Sequence, residues 1–71
     1  MFVKELYRAG HRQKFSITDV GGGWEVRDEQ DEHVLKAARY TDWHRVERAL
    51  NMFNLQIDRL EGAGWVAPVT R

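Results

Sequence analysis

The longest periodic pattern in the chain lies between Thr41 and Gly62, where apolar residues recur at alternating steps of three and four positions. This apolar stripe consists of Trp43, Val46, Leu50, Phe53, Ile57 and Leu60. Residues at such a spacing share one face of an α-helix, so the pattern predicts an amphipathic helix that buries the stripe. Thr41 is predicted to cap the helix N-terminus, and Gly62 to end the helix in a left-handed conformation.

Apolar and polar residues alternate with a period of two before this helix, which is typical of half-buried strands. Strands are predicted over residues 13–20, 24–27 and 33–40. The glycines at 21–23 predict a hairpin turn between the first two strands, and the acidic residues 28–32 predict the next turn. The first hairpin is expected to place four apolar residues on one face: Phe15, Ile17, Trp24 and Val26.

Two features have more than one interpretation. Residues 2–9 fit either one helical turn or a strand, and we favour a strand. Residues 33–40 can bury either of two sets, because a one-residue slip in register exchanges the faces of a strand. One set is Leu35 and Ala37, and the other is Val34, Ala38 and Tyr40.

The predicted fold is therefore α+β, an antiparallel meander of three or four strands followed by one long C-terminal amphipathic helix packed on one sheet face.

The length of 71 residues predicts a single domain over residues 1–71, with a core between 13 and 65 and an irregular tail over 66–71. A chain this short buries only about 60% of the surface that its unfolded form exposes, which leaves no room for a second core.

Cysteine is absent, so disulfides are excluded. The sequence has neither the roughly 20 consecutive apolar residues of a membrane span nor the features of a signal peptide, so a cytoplasmic location without membrane contact is predicted.

No motif in the sequence supports catalysis or metal binding. His11, His33 and His44 lie far apart, and none belongs to a metal-binding spacing. The acidic residues 28–32 lack the glycine and the terminal glutamate of a calcium loop. The glycines at 21–23 join two strands, whereas a phosphate-binding loop joins a strand to a helix. The sequence therefore predicts a protein that is not an enzyme and has no cofactor.

The polar side of the predicted helix carries two apolar residues among arginines. This candidate interaction surface consists of Arg45, Arg48, Met52, Leu55 and Arg59. A helix face that only contacts water does not need apolar side chains, so the surface indicates contact with another chain. The favoured function is a protein-interaction module that binds an unknown protein or forms a homodimer through this surface or a sheet edge.

Over residues 13–61, a strand, a Gly-Trp-Glu-Val-Arg strand, a third strand ending in Tyr40 and a capped helix follow one another. This order resembles the small DNA-binding domains that precede the catalytic core of phage-type integrases. The resemblance implies that the exposed sheet face enters the major groove through Lys14, Ser16, Thr18, Glu25 and Arg27.

Nucleic-acid binding is therefore the alternative function. Its basic contacts would be Lys4, Arg8, Arg12, Lys14 and Arg27, most of which lie in the N-terminal part of the chain. Eleven basic and eleven acidic residues give a formal net charge of zero. Most nucleic-acid-binding domains carry a basic excess, so protein interaction is favoured.

Overall fold

A computed structural model describes residues 2–68 as four strands followed by one helix. The elements are β1 (Phe2–Arg8), β2 (His11–Val20), β3 (Gly23–Gln30), β4 (His33–Tyr40) and α1 (Trp43–Gly62). The strands lie in the sheet in chain order, and every neighbouring pair is antiparallel. The predicted α+β meander is confirmed, with four strands. Residues 69–71 of the predicted tail lie outside the described residues.

The β3–β4 turn is shorter than predicted. It consists of residues 31–32 alone, both with positive φ, as in the tight turns that suit the twist of a hairpin. Acidic residues are rare in strands, yet Glu29 pairs with Lys14 of β2 and Asp28 pairs with Lys36 of β4. Opposite charges across neighbouring strands stabilise a sheet, so β3 extends through residues that the sequence pattern assigned to the turn.

The core lies between α1 and one face of the sheet. The predicted shared face of the first hairpin is confirmed by the register, in which Ile17 pairs with Val26. The buried apolar residues are Leu6, Phe15, Ile17, Val26, Val46, Phe53 and Ile57. The ring of Phe53 lies 4.9 Å from that of Phe15 and 6.4 Å from that of Phe2. The apolar stripe of the helix is thus the main contact between helix and sheet.

Both ends of α1 differ from the prediction. Asp42, and not Thr41, caps the N-terminus, because its Oδ1 accepts a hydrogen bond from the backbone N–H of His44 at 2.9 Å. Thr41 lies one residue too early to reach the free amides of the first turn. At the other end, Gly62 belongs to the helix, and the residue with positive φ is Gly64, at 99°.

The helix crosses the sheet diagonally. At its start, Trp43 packs edge-on against Trp24 with the ring centroids 5.2 Å apart, next to the Tyr40 end of β4. Beyond its end, Val66 forms a bridge with Tyr7 near the last residue of β1. The helix therefore runs from one corner of the sheet to the opposite one and leaves the beginning of β4 uncovered.

The register also decides which face of β4 is directed towards the helix. Ala38 pairs with Val26, and Tyr40 pairs with Trp24, so these two β4 residues share the face of the core. Leu35 is the extra residue of a β-bulge and is 58% exposed. No residue of β4 is fully buried, which follows from the diagonal course of α1.

Candidate interaction site

A groove of about 600 Å³ lies between α1 and β4, over the part of the helix-facing sheet surface that α1 leaves uncovered. We call it the α1–β4 groove. Its apolar lining consists of Val26, Ala38, Tyr40, Ala49, Met52 and Phe53. Phe53 is shared with the core, whereas Met52 is 55% exposed. The groove is thus an open continuation of the hydrophobic core rather than a separate cavity.

The charged residues of the groove are mainly basic. Lys36, Arg45 and Arg48 line it, together with the single carboxylate of Asp28. The ion pairs among residues 2–68 involve none of these three cations. Burial raises the pKa of Asp28, against the opposing effects of a 2.6 Å hydrogen bond from Gln13 Nε2 and of the nearby Lys36 charge. The groove therefore combines an apolar floor with an excess of positive charge.

The structure divides the surface predicted from the helix. Arg45, Arg48 and Met52 line the α1–β4 groove, whereas Leu55 and Arg59 lie on α1 outside it. Leu55 is 54% exposed.

Sequence analysis missed the sheet residues of the groove, because their position depends on the crossing angle of the helix. These residues are Asp28, Lys36, Ala38 and Tyr40. One signal was present in the sequence: the ambiguous alternation over 33–40, which fits a strand that the helix covers only in part.

The groove adjoins an open edge of the sheet. Among the described residues, no strand pairs with the outer edge of β4. The other outer strand, β1, is partly closed. Tyr7 N–H donates to the Val66 carbonyl oxygen at 2.8 Å, and Val66 N–H donates to the Tyr7 carbonyl oxygen at 3.0 Å. The two edges of the sheet are therefore not equivalent, because within residues 2–68 the chain pairs with the edge of β1 at Tyr7 and leaves the edge of β4 unpaired along its whole length.

The sheet face opposite α1 carries the residues implied by the DNA-binding resemblance. Ser16 pairs with Arg27 and Thr18 with Glu25, so the five residues of that set share this face. Ser16, however, is only 5% exposed. Glu25 Oε2 lies 3.2 Å from Arg39 Nε. Positive and negative side chains therefore alternate over the face.

The five basic residues proposed for nucleic-acid contact do not form one surface. Lys4 pairs with Phe15 in register, which places Lys4 on the helix side of the sheet, and Arg8 shares that side. The other three, Arg12, Lys14 and Arg27, lie on the opposite face. Arg12 is also close to carboxylates, with its guanidinium nitrogens 3.7 Å from Glu5 and 3.8 Å from Glu32.

His11 takes part in a contact between two turns. Its Nδ1 lies 2.9 Å from Asp31 Oδ2, and the backbone N–H of Arg12 donates to Asp31 Oδ1 at 2.8 Å. The pKa of Asp31 is lowered mainly by the hydrogen bond from the backbone N–H of Arg12 and to a smaller extent by the contact with His11. This arrangement joins the β1–β2 and β3–β4 turns. Within residues 2–68, no three His, Cys, Asp or Glu side chains are grouped so that they could hold a metal ion.

Comparisons with protein-family models, curated proteins and solved structures found no match for this chain. In the part of the chain that the structure describes, no helix combines the length and apolar character that crossing a membrane requires. The functional conclusion therefore depends on the α1–β4 groove, the edge of β4 and the open sheet face.

Proposed function

We propose that this chain is a non-enzymatic protein-interaction module that receives its partner in the α1–β4 groove. The observation that supports this function is the position of a groove of about 600 Å³ beside an unpaired strand edge. Ligand-binding grooves are commonly of this size and have an apolar lining with a few charged groups. An unpaired edge adds backbone hydrogen-bonding groups that another polypeptide chain can use.

The exposed apolar side chains favour the same function. Met52 on the helix and Leu35 on β4 are each more than half exposed, at 55% and 58%. Single exposed apolar residues are common on protein surfaces, but these two lie at the groove and beside it on the free edge. A partner that covers this region would remove both from water.

Nucleic-acid binding has weaker support. Affinity for nucleic acid depends mainly on cations that neutralise phosphates. The open sheet face carries carboxylates between its cations, among them Glu5 opposite Lys14 and Glu25 opposite Arg39. A phosphate backbone placed on this face would meet repulsion as well as attraction.

The proposal is tested by retention of proteins from an extract of the source organism on three immobilised forms of the chain. These forms are the wild type, Met52→Asp, which places a carboxylate in the groove, and Asn54→Asp as the control. Both substituted positions are exposed on α1, so neither change should unfold the protein. The wild type and the Asn54 variant should retain a common partner that the Met52 variant loses.

Equal retention by all three forms would contradict the proposal. Loss of retention after nuclease treatment would favour nucleic-acid binding instead. Light scattering after size exclusion shows whether the partner is a second copy, in which case Met52→Asp should convert a dimer to a monomer.

A further inference from the structure

We propose that the occupant of the α1–β4 groove is an extended acidic segment of a partner protein, which pairs with residues 36–40 of β4 as a fifth strand. This inference rests on the proposed function, because it names the kind of partner that the same groove receives. It is supported by the geometry of the edge and by the charges around it.

The edge of β4 is regular where it adjoins the groove. Residues 36–40 pair with β3 without interruption, from Lys36 opposite Asp28 to Tyr40 opposite Trp24. The bulge at Leu35 interrupts this regular edge on its N-terminal side. An added strand would lie about 4.8 Å beyond β4, with every second side chain on the side of α1. Those side chains would enter the groove and contact Met52.

The charges of the groove select an acidic segment. A side chain that points into the groove from a fifth strand meets Lys36, Arg45 and Arg48, and one carboxylate, Asp28. Complementary charge across an interface favours the matching partner and excludes others. Arg39, the second cation of the edge, is on the opposite face and is hydrogen-bonded to Glu25. The excess positive charge that remains without a partner is thus on the groove side.

The same charges argue against a second copy of this chain at the edge. Residues 36–40 contain two cations, Lys36 and Arg39, and no acidic residue. Pairing this edge with its own copy would add a second Lys36 and no carboxylate to a region that already has an excess of positive charge, and like charges across an interface disfavour association. Lysine on an edge strand is also a common means of preventing self-association.

The test uses the full chain and a fluorescein-labelled peptide of eight residues, the length of β4, in which Glu and Val alternate with Thr. Glu and Val would face the groove, and Thr the other side. One control peptide has Lys in place of Glu. A second keeps Glu but has proline at two adjacent central positions, one Thr and the neighbouring Val, so that a backbone donor facing β4 is lost in either register. Fluorescence anisotropy gives the affinities, and amide hydrogen exchange locates the peptide.

The acidic peptide should bind at least tenfold more tightly than either control and should slow exchange at alternate amides of residues 36–40. Lys36→Glu adds a carboxylate that repels the acidic peptide and should weaken binding about tenfold. Asp28→Asn removes such a carboxylate and should strengthen binding about threefold. An exposed matched control, Asn54→Asp, should change little.

Four results would overturn the inference. Equal binding of the proline peptide would show charge attraction without strand pairing. Equal binding of the lysine peptide would show that the groove does not select charge. Displacement of the acidic peptide by single-stranded oligonucleotide, with the same amides unprotected, would show that the cations bind phosphate. If none of the peptides binds while Met52→Asp still abolishes retention of a partner protein, the inference is wrong but the proposed function stands. If Met52→Asp has no effect either, both are wrong.

Discussion

Replacing Phe53 with alanine tests the contact between helix and sheet directly. Phe53 is 7% exposed, and its ring packs against those of Phe15 and Phe2. Truncation of a buried phenylalanine costs about 3–5 kcal/mol, because transfer free energy is lost and a cavity is left. Loss of the aromatic pairing adds about 0.5–1.5 kcal/mol. We therefore expect Phe53→Ala to reduce the free energy of unfolding by about 3.5–6.5 kcal/mol.

This reduction is large relative to the total stability of the domain. At about 0.05–0.15 kcal/mol per residue, a chain of this length has a free energy of unfolding of about 4–11 kcal/mol. At the lower end of this range the variant should be largely unfolded in water, and at the upper end it should remain folded with a much lower urea midpoint. Far-UV circular dichroism during a urea titration measures the change, since α1 dominates the signal.

Leu55→Ala is the matched control, because Leu55 lies in the same helix and is 54% exposed. Its effect should stay within about 0.5 kcal/mol. A cost of less than about 2 kcal/mol for Phe53→Ala, or an equal cost for Leu55→Ala, would show that Phe53 is not a main contact between helix and sheet.

Three further predictions concern the turns, the helix cap and the pH dependence of stability. Gly23→Ala should destabilise the fold by about 1–3 kcal/mol in urea titrations, because the new Cβ would lie 2.5 Å from a carbonyl oxygen of β4. The control is Gly21→Ala, whose Cβ would meet no atom within 4 Å and which should have a much smaller effect. Asp42→Ala should lower the free energy of unfolding by about 1 kcal/mol, because the N-cap of α1 is lost. Thr41→Ala should leave the free energy of unfolding nearly unchanged, and equal effects of the two changes would contradict Asp42 as the cap. Burial in the folded state raises the pKa of Asp28 above its unfolded value of about 3.9. Protonated Asp28 therefore contributes to stability below that unfolded value, and the contribution is lost as the pH rises through the folded pKa. Asp28→Asn should accordingly raise the melting temperature at about pH 7 but not at about pH 3, and a lower melting temperature at neutral pH would contradict the burial effect.

Local patterns in the sequence were sufficient to predict most of the fold. The spacing of the stripe residues determines the helix face, so Val46, Phe53 and Ile57 could be placed in the core without a structure. The period-two alternation likewise placed Phe15 and Ile17 on the inner face of the sheet. The ends of the strands and of the helix were predicted less accurately, because their positions depend on single hydrogen bonds and on pairing between strands.

The sheet side of the candidate site could not be predicted, because it depends on how α1 is oriented on the sheet. The stripe specifies which helix face is buried but not the angle at which the helix crosses the strands. Lys36 and Asp28 become neighbours only through the register of β3 and β4, which also places both in the groove. The arginines and Met52 were found because they belong to one helix and their relative positions follow from its pitch alone.

The order of the elements along the chain has a consequence for biosynthesis. Each strand pairs with its immediate neighbour in sequence, so the three hairpins can form one after another as the chain emerges, and isolated hairpins form in about 1–10 μs. The helix is made last, so the nascent sheet has its apolar face exposed to the ribosome exit and to chaperones until α1 emerges. Val66 follows still later and pairs with the edge of β1 at Tyr7. The nascent chain is therefore most prone to aggregation just before α1 is complete, and within residues 2–68 no later segment pairs with the edge of β4.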